Sequence, residues 1–256
     1  MKRSITDLVR GMRDYQTAIL PLALFAIAAA GISLFVSIAD ELDDGELNSI
    51  DTEIFLMFRT GVDNADPIGP LWLQETAAEI TALGGYPVVA VIVAAVIGFL
   101  LVSRKRGPAL YVFLSVGLGS AVGHLLKELY ARPRPDLVEH LVNTHTPSFP
   151  SGHAMVSAIV YLTLGSLILR LVDSVRVRAY VLTLAVVLTF LIGLSRIYLG
   201  VHWPSDVLAG WAMGAAWASA AWLVVSALRL YRRRRDGQAA SPASSSRIGQ
   251  SGRPSP

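Results

Sequence analysis

Residues 150–169 read PSGHAMVSAIVYLTLGSLIL. Two signals are fused in this stretch. Sixteen residues without a charge, 154–169, follow a polar opening of Pro150-Ser151-Gly152-His153. A run of about 20 apolar residues is the length of a helix across a ~30 Å hydrocarbon core. In lipid such a run must be helical, because no water is present to bond its backbone groups. The start of a helix presents unpaired N–H groups and the positive end of the helix dipole. Gly152 lets the backbone approach a ligand closely, and the Ser151 hydroxyl adds a donor. The stretch therefore reads as a membrane helix whose first turn suits an anion.

Five more stretches of similar character surround it. The six spans are placed at 17–39, 82–102, 108–126, 150–169, 179–195 and 205–228. The expected fold is all-α: a polytopic membrane protein with six transmembrane helices. Composition agrees, with 53% apolar residues, 16% charged residues and a mean hydropathy of +0.52. Soluble domains carry about 25% charged residues. The chain has no cysteine, which excludes disulfides and thiolate metal sites.

Charge placement predicts an orientation. The N-terminus, 103–107, 170–178 and the tail from 229 hold 17 of the 22 Lys and Arg residues. The opposite connections, 40–81, 127–149 and 196–204, hold five. Basic residues collect on the cytoplasmic side, so both termini are expected there. Eleven acidic residues between Asp40 and Glu79 lie on the other side. This distribution, rather than the net charge of +3, argues against a nucleic-acid partner. The drawn spans lack ionisable residues at mid-membrane, which argues against a transporter.

Three domains are expected. Residues 1–16 form either a cytoplasmic amphipathic helix on the inner surface or a frayed basic terminus, with Leu8, Val9, Met12 and Tyr15 against Lys2, Arg3, Arg10 and Arg13. Residues 17–228 form the membrane domain. Residues 229–256 form a basic, disordered cytoplasmic tail, rich in Ser, Gly and Pro at its end. Within the membrane domain, 40–81 is an outer excursion with an interfacial helix over 71–80. Phe55–Phe58 and Trp72 suit either the lip of a lipid entrance or ordinary packing, and packing is favoured. Gly119-x3-Gly123 and Gly210-x3-Gly214 suit close helix contact. Ser37-Ile38-Ala39 resembles a signal cleavage site, but the preceding run is too long for a secretory h-region.

The orientation puts three chemical motifs at the outer ends of helices. Lys127-x6-Arg134-Pro135 follows the third span. Pro150-Ser151-Gly152-His153 opens the fourth. Ser195-Arg196-x5-His202-x3-Asp206 links the fifth to the sixth. Lys127, Arg134 and Arg196 are three of the five outer cations, with Arg59 and Arg132 the others. A phosphoryl group in transfer spreads charge over three oxygens, and catalysis is mostly positioning and charge stabilisation. Two histidines on one face suit nucleophile and acid. Asp206, four residues after His202, is placed to orient that ring. This favours His202 as nucleophile and His153 as acid. His124, His140 and His145 read as interface or loop residues.

The three motifs together resemble the signature of the type 2 phosphatidic acid phosphatase superfamily. That group spans lipid phosphate phosphatases, undecaprenyl-diphosphatases, glucose-6-phosphatase and vanadium haloperoxidases. The resemblance covers roughly 70–228, with its motif residues within 127–206. It implies a core helix bundle of the phosphatidic acid phosphatase type 2/haloperoxidase kind. It also implies phosphate held by Lys127, Arg134, Ser151, Gly152 and Arg196, and a phosphohistidine on His202 oriented by Asp206. His153 would protonate the leaving group. Neither metal nor cofactor is implied. The expected partners are a membrane lipid substrate and the bilayer. The expected activity is removal of phosphate from a lipid phosphate monoester or diphosphate at the outer leaflet, in a bacterial inner membrane. The polyprenyl diphosphate is favoured by analogy. A phosphotransferase using an acceptor other than water is the alternative, as is a non-catalytic lipid-binding protein. Six spans disfavour a haloperoxidase.

Overall fold

The structure is a computed structural model and describes residues 5–42, 46–60, 66–135, 137, 141 and 146–239. Helix α1 covers Ile5–Asp40 and α2 covers Glu46–Leu56. Two short antiparallel strands, β1 (Arg59–Thr60) and β2 (Asp66–Pro67), close the turn after α2. Then come α3 (Leu71–Ala82), α4 (Tyr86–Val102), α5 (Arg106–Tyr130), α6 (Gly152–Leu169), α7 (Val175–Tyr198) and α8 (Pro204–Ala239).

Five of these helices are long and apolar enough to cross a membrane. The bent pair α3–α4, taken as one span, makes six. The expectation of a polytopic all-α membrane protein holds, with shifted boundaries. The second span does not begin at 82. Residues 83–85 interrupt it with a 45° bend, so the expected interfacial helix and the span form one bent unit. The cause is local. Gly84 and Gly85 disfavour continuation, and Pro87 suits the first turn of a new helix. Helix α4 alone has 17 residues, or about 25 Å, so α3 supplies the remaining length. Tyr161 Oη donates to Leu83 O at 2.9 Å, satisfying one carbonyl freed by the bend.

Helices α1 and α8 overrun their predicted ends. The first starts at Ile5, so the helix expected within 1–16 runs unbroken into the span, and the last continues past 228 through Arg232–Arg235 to Ala239. The first part of the expected disordered tail is therefore helical. Residues 229–235 contain neither Gly nor Pro and arginine favours a helix, while Gly237 falls only in the last turn. Residues 240–256 and the side chains of the amphipathic segment lie outside the described residues, as do His140 and His145.

Helix α6 is the hub and packs against α5, α7 and α8. Its Met155, Val156, Ile159 and Val160 are almost fully buried with Val112 and Leu100. Close approach of α8 depends on glycine. A Cβ on Gly214 would lie 2.6 Å from Ala158 Cβ and 2.7 Å from Met155 O, and one on Gly210 would lie 2.8 Å from Ser151 O. Both glycine pairs thus serve packing inside the bundle. Polar links span the core: Ser115 Oγ to Thr163 Oγ1 at 2.9 Å, and Trp217 Nε1 donating to Ser115 O at 2.8 Å. The opposite faces of α1, α4, α5 and α7 expose Leu22, Phe25, Val91, Phe99, Phe113, Leu125 and Val186, as a lipid-facing belt requires.

Candidate active site

The alternation of α5, α6, α7 and α8 brings four helix ends to one end of the bundle. Lys127 sits in the last turn of α5, Gly152 starts α6, Arg196 lies in the last turn of α7, and His202 precedes α8. Ala131 caps α5 in the left-handed region (φ 44°), with its N–H donating to Lys127 O at 3.0 Å. This turn folds residues 132–135 back over the helix ends. Ser148 holds them there, its N–H donating to Arg132 O at 2.9 Å and its Oγ to Pro133 O at 2.8 Å.

Three cations line the site. Lys127 Nζ donates to Pro147 O at 2.6 Å. Gly152 leaves room for this side chain, since a Cβ there would stand 3.3 Å from Lys127 Cε. Arg134 donates from Nη1 to Val201 O at 2.6 Å and from Nε to Thr146 O at 2.8 Å. Arg196 donates from Nη1 to Thr81 Oγ1 at 3.2 Å, linking α7 to the end of α3. Ser151 Oγ and Arg196 Nε are buried without a hydrogen-bond partner. Buried donors are nearly always paired, so these two match the demands of an anionic ligand. Arg59 is also buried with unpaired Nε and Nη1. Its Nη2 donates to Tyr198 O, and the guanidinium lies over the Phe55 ring.

His202 lies at the centre, 1% exposed. Its Nδ1 is 3.4 Å from Asp206 Oδ2, at the long end of hydrogen-bond reach. Its Nε2 is 3.3 Å from Arg134 Nη1. A guanidinium only donates, so Nε2 is the accepting nitrogen and Nδ1 carries the proton towards Asp206. Burial pushes the His202 imidazolium well below its ordinary range, and Arg196, Arg134, Lys127 and His153 push it further. His202 is thus neutral, with its Nε2 lone pair turned to the cations. His153, in the first turn of α6, faces the α3–α4 bend. Its Nε2 lies 3.7 Å from where a Gly85 Cβ would stand.

All eight residues singled out in the sequence gather at this end. The sequence reading missed the layer behind them. Arg132 Nη1 donates to Asp206 Oδ1 at 2.7 Å and to Ser205 Oγ at 2.8 Å. Its Nη2 donates to Asp51 Oδ2 at 2.9 Å and Asn48 Oδ1 at 3.1 Å. The doubled Arg-Pro of residues 132–135 was the available signal; Asp51 gave none among eleven acidic residues. Phe55 is fully buried against Trp203, so it is core rather than the lip of an entrance. Met57 and Trp72 are exposed, and His124 faces outward on α5.

Residues 108–230 match the PAP2 superfamily. Phosphatidylglycerophosphatase B of Bacillus subtilis is 33% identical over 144 residues, which cover 56% of this chain and 70% of that one. The chain belongs to the PAP2 superfamily. Decaprenylphosphoryl-5-phosphoribose phosphatase of Mycobacterium tuberculosis is 38% identical over 127 residues, covering 48% of this chain and 65% of that protein. The crystal structure of the transmembrane PAP2-type phosphatidylglycerolphosphate phosphatase from Bacillus subtilis superposes with a TM-score of 0.66 at 27% identity. That superposition covers 79% of this chain and 96% of that one. The matched PAP2 region contains all three motifs. Helices α1 to α4 lie outside it, yet Phe35 of α1 packs at a tilt against Phe149, 5.4 Å between ring centroids, immediately before Pro150.

Proposed function

We propose that this protein is a membrane lipid phosphatase that removes phosphate from a lipid phosphate monoester or diphosphate at the outer leaflet of a bacterial inner membrane. The observation that carries the reading is the buried His202, whose Nε2 lies 3.3 Å from Arg134 Nη1 while Asp206 Oδ2 faces the opposite nitrogen at 3.4 Å. Similarity to phosphatases named for phosphatidylglycerophosphate and for a decaprenylphosphoryl sugar supports a lipid substrate.

The chemistry follows from the geometry. Lys127, Arg134, Arg196, Ser151 Oγ and the first N–H groups of α6 at Gly152 hold the phosphoryl oxygens. Nε2 of His202 attacks phosphorus, and the bond from phosphorus to the lipid oxygen breaks. His153, protonated once the negative charge of the bound phosphate offsets the surrounding cations, gives its proton to that oxygen. The ring, now phosphorylated on Nε2 and still protonated on Nδ1, is positively charged, and Asp206 faces it. Water then attacks the phosphohistidine, His153 takes the water proton, and the P–N bond breaks to release inorganic phosphate. The protein supplies the positive charge itself, and the proposed reaction uses no metal or cofactor. The headgroup meets the site at the membrane surface while the tail stays in lipid.

The test is phosphate release by detergent-purified protein from phosphatidylglycerol phosphate, phosphatidic acid and undecaprenyl diphosphate, with and without EDTA. Release from at least one lipid, unaffected by EDTA, is expected. His202→Ala should abolish turnover, by about 10⁴-fold or more, while substrate still binds. Folded wild-type protein inactive on every lipid would overturn the proposal. A sugar acceptor competing with water in the same assay would indicate phosphotransfer instead.

A further inference from the structure

Asp206 has two carboxylate oxygens with separate tasks. Oδ2 meets His202 Nδ1 at 3.4 Å and accepts from Trp203 N–H at 2.9 Å. Oδ1 accepts from Arg132 Nη1 at 2.7 Å. A carboxylate held at one oxygen only can swing about its last torsion. Held at both, it presents Oδ2 to the imidazole at one angle.

The other arm of the Arg132 fork reaches Asp51 Oδ2 on α2. Asp51 is tied to the start of α8, where its Oδ1 accepts from Ser205 N–H at 2.8 Å. The Ser205 hydroxyl also donates to Asp51 Oδ2. Ser205 N–H lies in the first turn of α8 and has no partner within its own helix, so a residue some 150 positions earlier caps it. Asp206, Asp51 and Arg132 are 0%, 2% and 8% exposed. One guanidinium thus bridges two buried carboxylates from different helices, and one of the two is the carboxylate that orients His202.

We infer that Arg132 and Asp51 are positioning residues of the phosphoryl-transfer site: they lock the Asp206 carboxylate, and through it the His202 ring, making α2 part of the catalytic apparatus. The inference rests on the reading of His202 as the nucleophile. Neither residue belongs to the anion site formed by Lys127, Arg134 and Arg196. Loosening the lock therefore affects attack rather than phosphate capture. A purely structural clamp that pins α2 to the bundle would leave turnover by folded protein unchanged.

The experiment compares Asp51→Asn, Arg132→Lys and Arg132→Gln with wild type, using the most active lipid phosphate. It reads kcat, KM, the inhibition constant of inorganic phosphate, and folding by size exclusion and circular dichroism. Asp51→Asn keeps the shape and removes one charge. Arg132→Lys keeps the charge and loses the fork. The expected result is a roughly ten- to hundred-fold fall in kcat for Asp51→Asn and Arg132→Gln, scaled from the loss seen when a triad aspartate is replaced. KM and the phosphate inhibition constant should stay within about twofold, because the anion site is untouched. Arg132→Lys should recover part of the lost kcat, since it restores the charge. If Arg132→Gln does not fold, the other two variants decide. Normal kcat in folded Asp51→Asn overturns the inference, as does a loss confined to KM or phosphate inhibition. Failure of both Asp51→Asn and Arg132→Lys to fold also overturns it, because the cluster would then be structural. Wild type inactive on every lipid phosphate would instead overturn the proposed function, so the two failures are distinguishable.

Discussion

His202 meets a different charge at each ring nitrogen. Asp206 holds the protonated Nδ1, and Arg134 faces the lone pair on Nε2. Burial and the cluster of Arg196, Arg134, Lys127 and His153 hold the ring neutral well below the ordinary histidine range. This has a consequence for stability. In the unfolded chain the same ring takes up a proton below about pH 6.5. The folded state then binds fewer protons than the unfolded state, so acid favours unfolding. The contribution of this group is intact above that pH. Below it, stability falls by up to about 1.4 kcal/mol per pH unit while the folded ring stays neutral. Melting temperatures measured from about pH 8 to about pH 5 should therefore fall less steeply in His202→Gln than in wild type. Equal slopes would contradict the neutral buried ring. At this scale the sequence disclosed His202 and Asp206 as a pair, since His202 just precedes α8 and Asp206 lies in its first turn. It did not disclose Arg132 as their anchor, because the partner Asp51 approaches from a helix distant in sequence.

Helices reach the site through close contacts that single residues permit. Helix α8 lies against α6 only because Gly210 and Gly214 carry no side chain where Ser151 O, Ala158 Cβ and Met155 O approach. Gly214→Leu should force these helices apart or force backbone shifts. Overpacking costs about 1–3 kcal/mol or more, and here it also moves Ser151 relative to Asp206, whose carbonyl accepts from Ser151 N–H at 2.9 Å. A clear fall in melting temperature together with lost phosphatase activity is expected. An unchanged melting temperature would show that α6 and α8 are not held this closely. The glycine spacing in the sequence announced small-residue packing but did not name the partner helix. The bend between α3 and α4 was hidden for a similar reason. An apolar run records length, whereas the turn at 83–85 depends on Gly84 meeting Ile192 and the His153 backbone.

Across the whole molecule, one end of the bundle carries the motif residues and the opposite end carries Arg104–Arg106 and the basic stretch of α8. The basic bias argues that the motif end faces outward and both termini face the cytoplasm. The lack of native cysteine allows a direct test. Glu75→Cys, exposed on α3, should react with a membrane-impermeant maleimide in intact cells. Ser103→Cys, exposed between α4 and α5, should react only after permeabilisation. The reverse pattern would place the site on the cytoplasmic side and overturn the outer-leaflet assignment.

The sequence by itself determined that the chain is an all-α membrane protein, because apolar run length is set by bilayer thickness. It also determined which residues could form a phosphate site, because spacing within a helix turn and position at a helix end are local properties. Only the tertiary structure decided how the carboxylate behind His202 is held. It also decided that α1 and α2 support the site from outside the matched region, through Phe35 on Phe149 and Asp51 on Arg132 and Ser205. Those contacts join segments roughly 80 to 150 residues apart. No local pattern encodes them, since they exist only once the helices have packed.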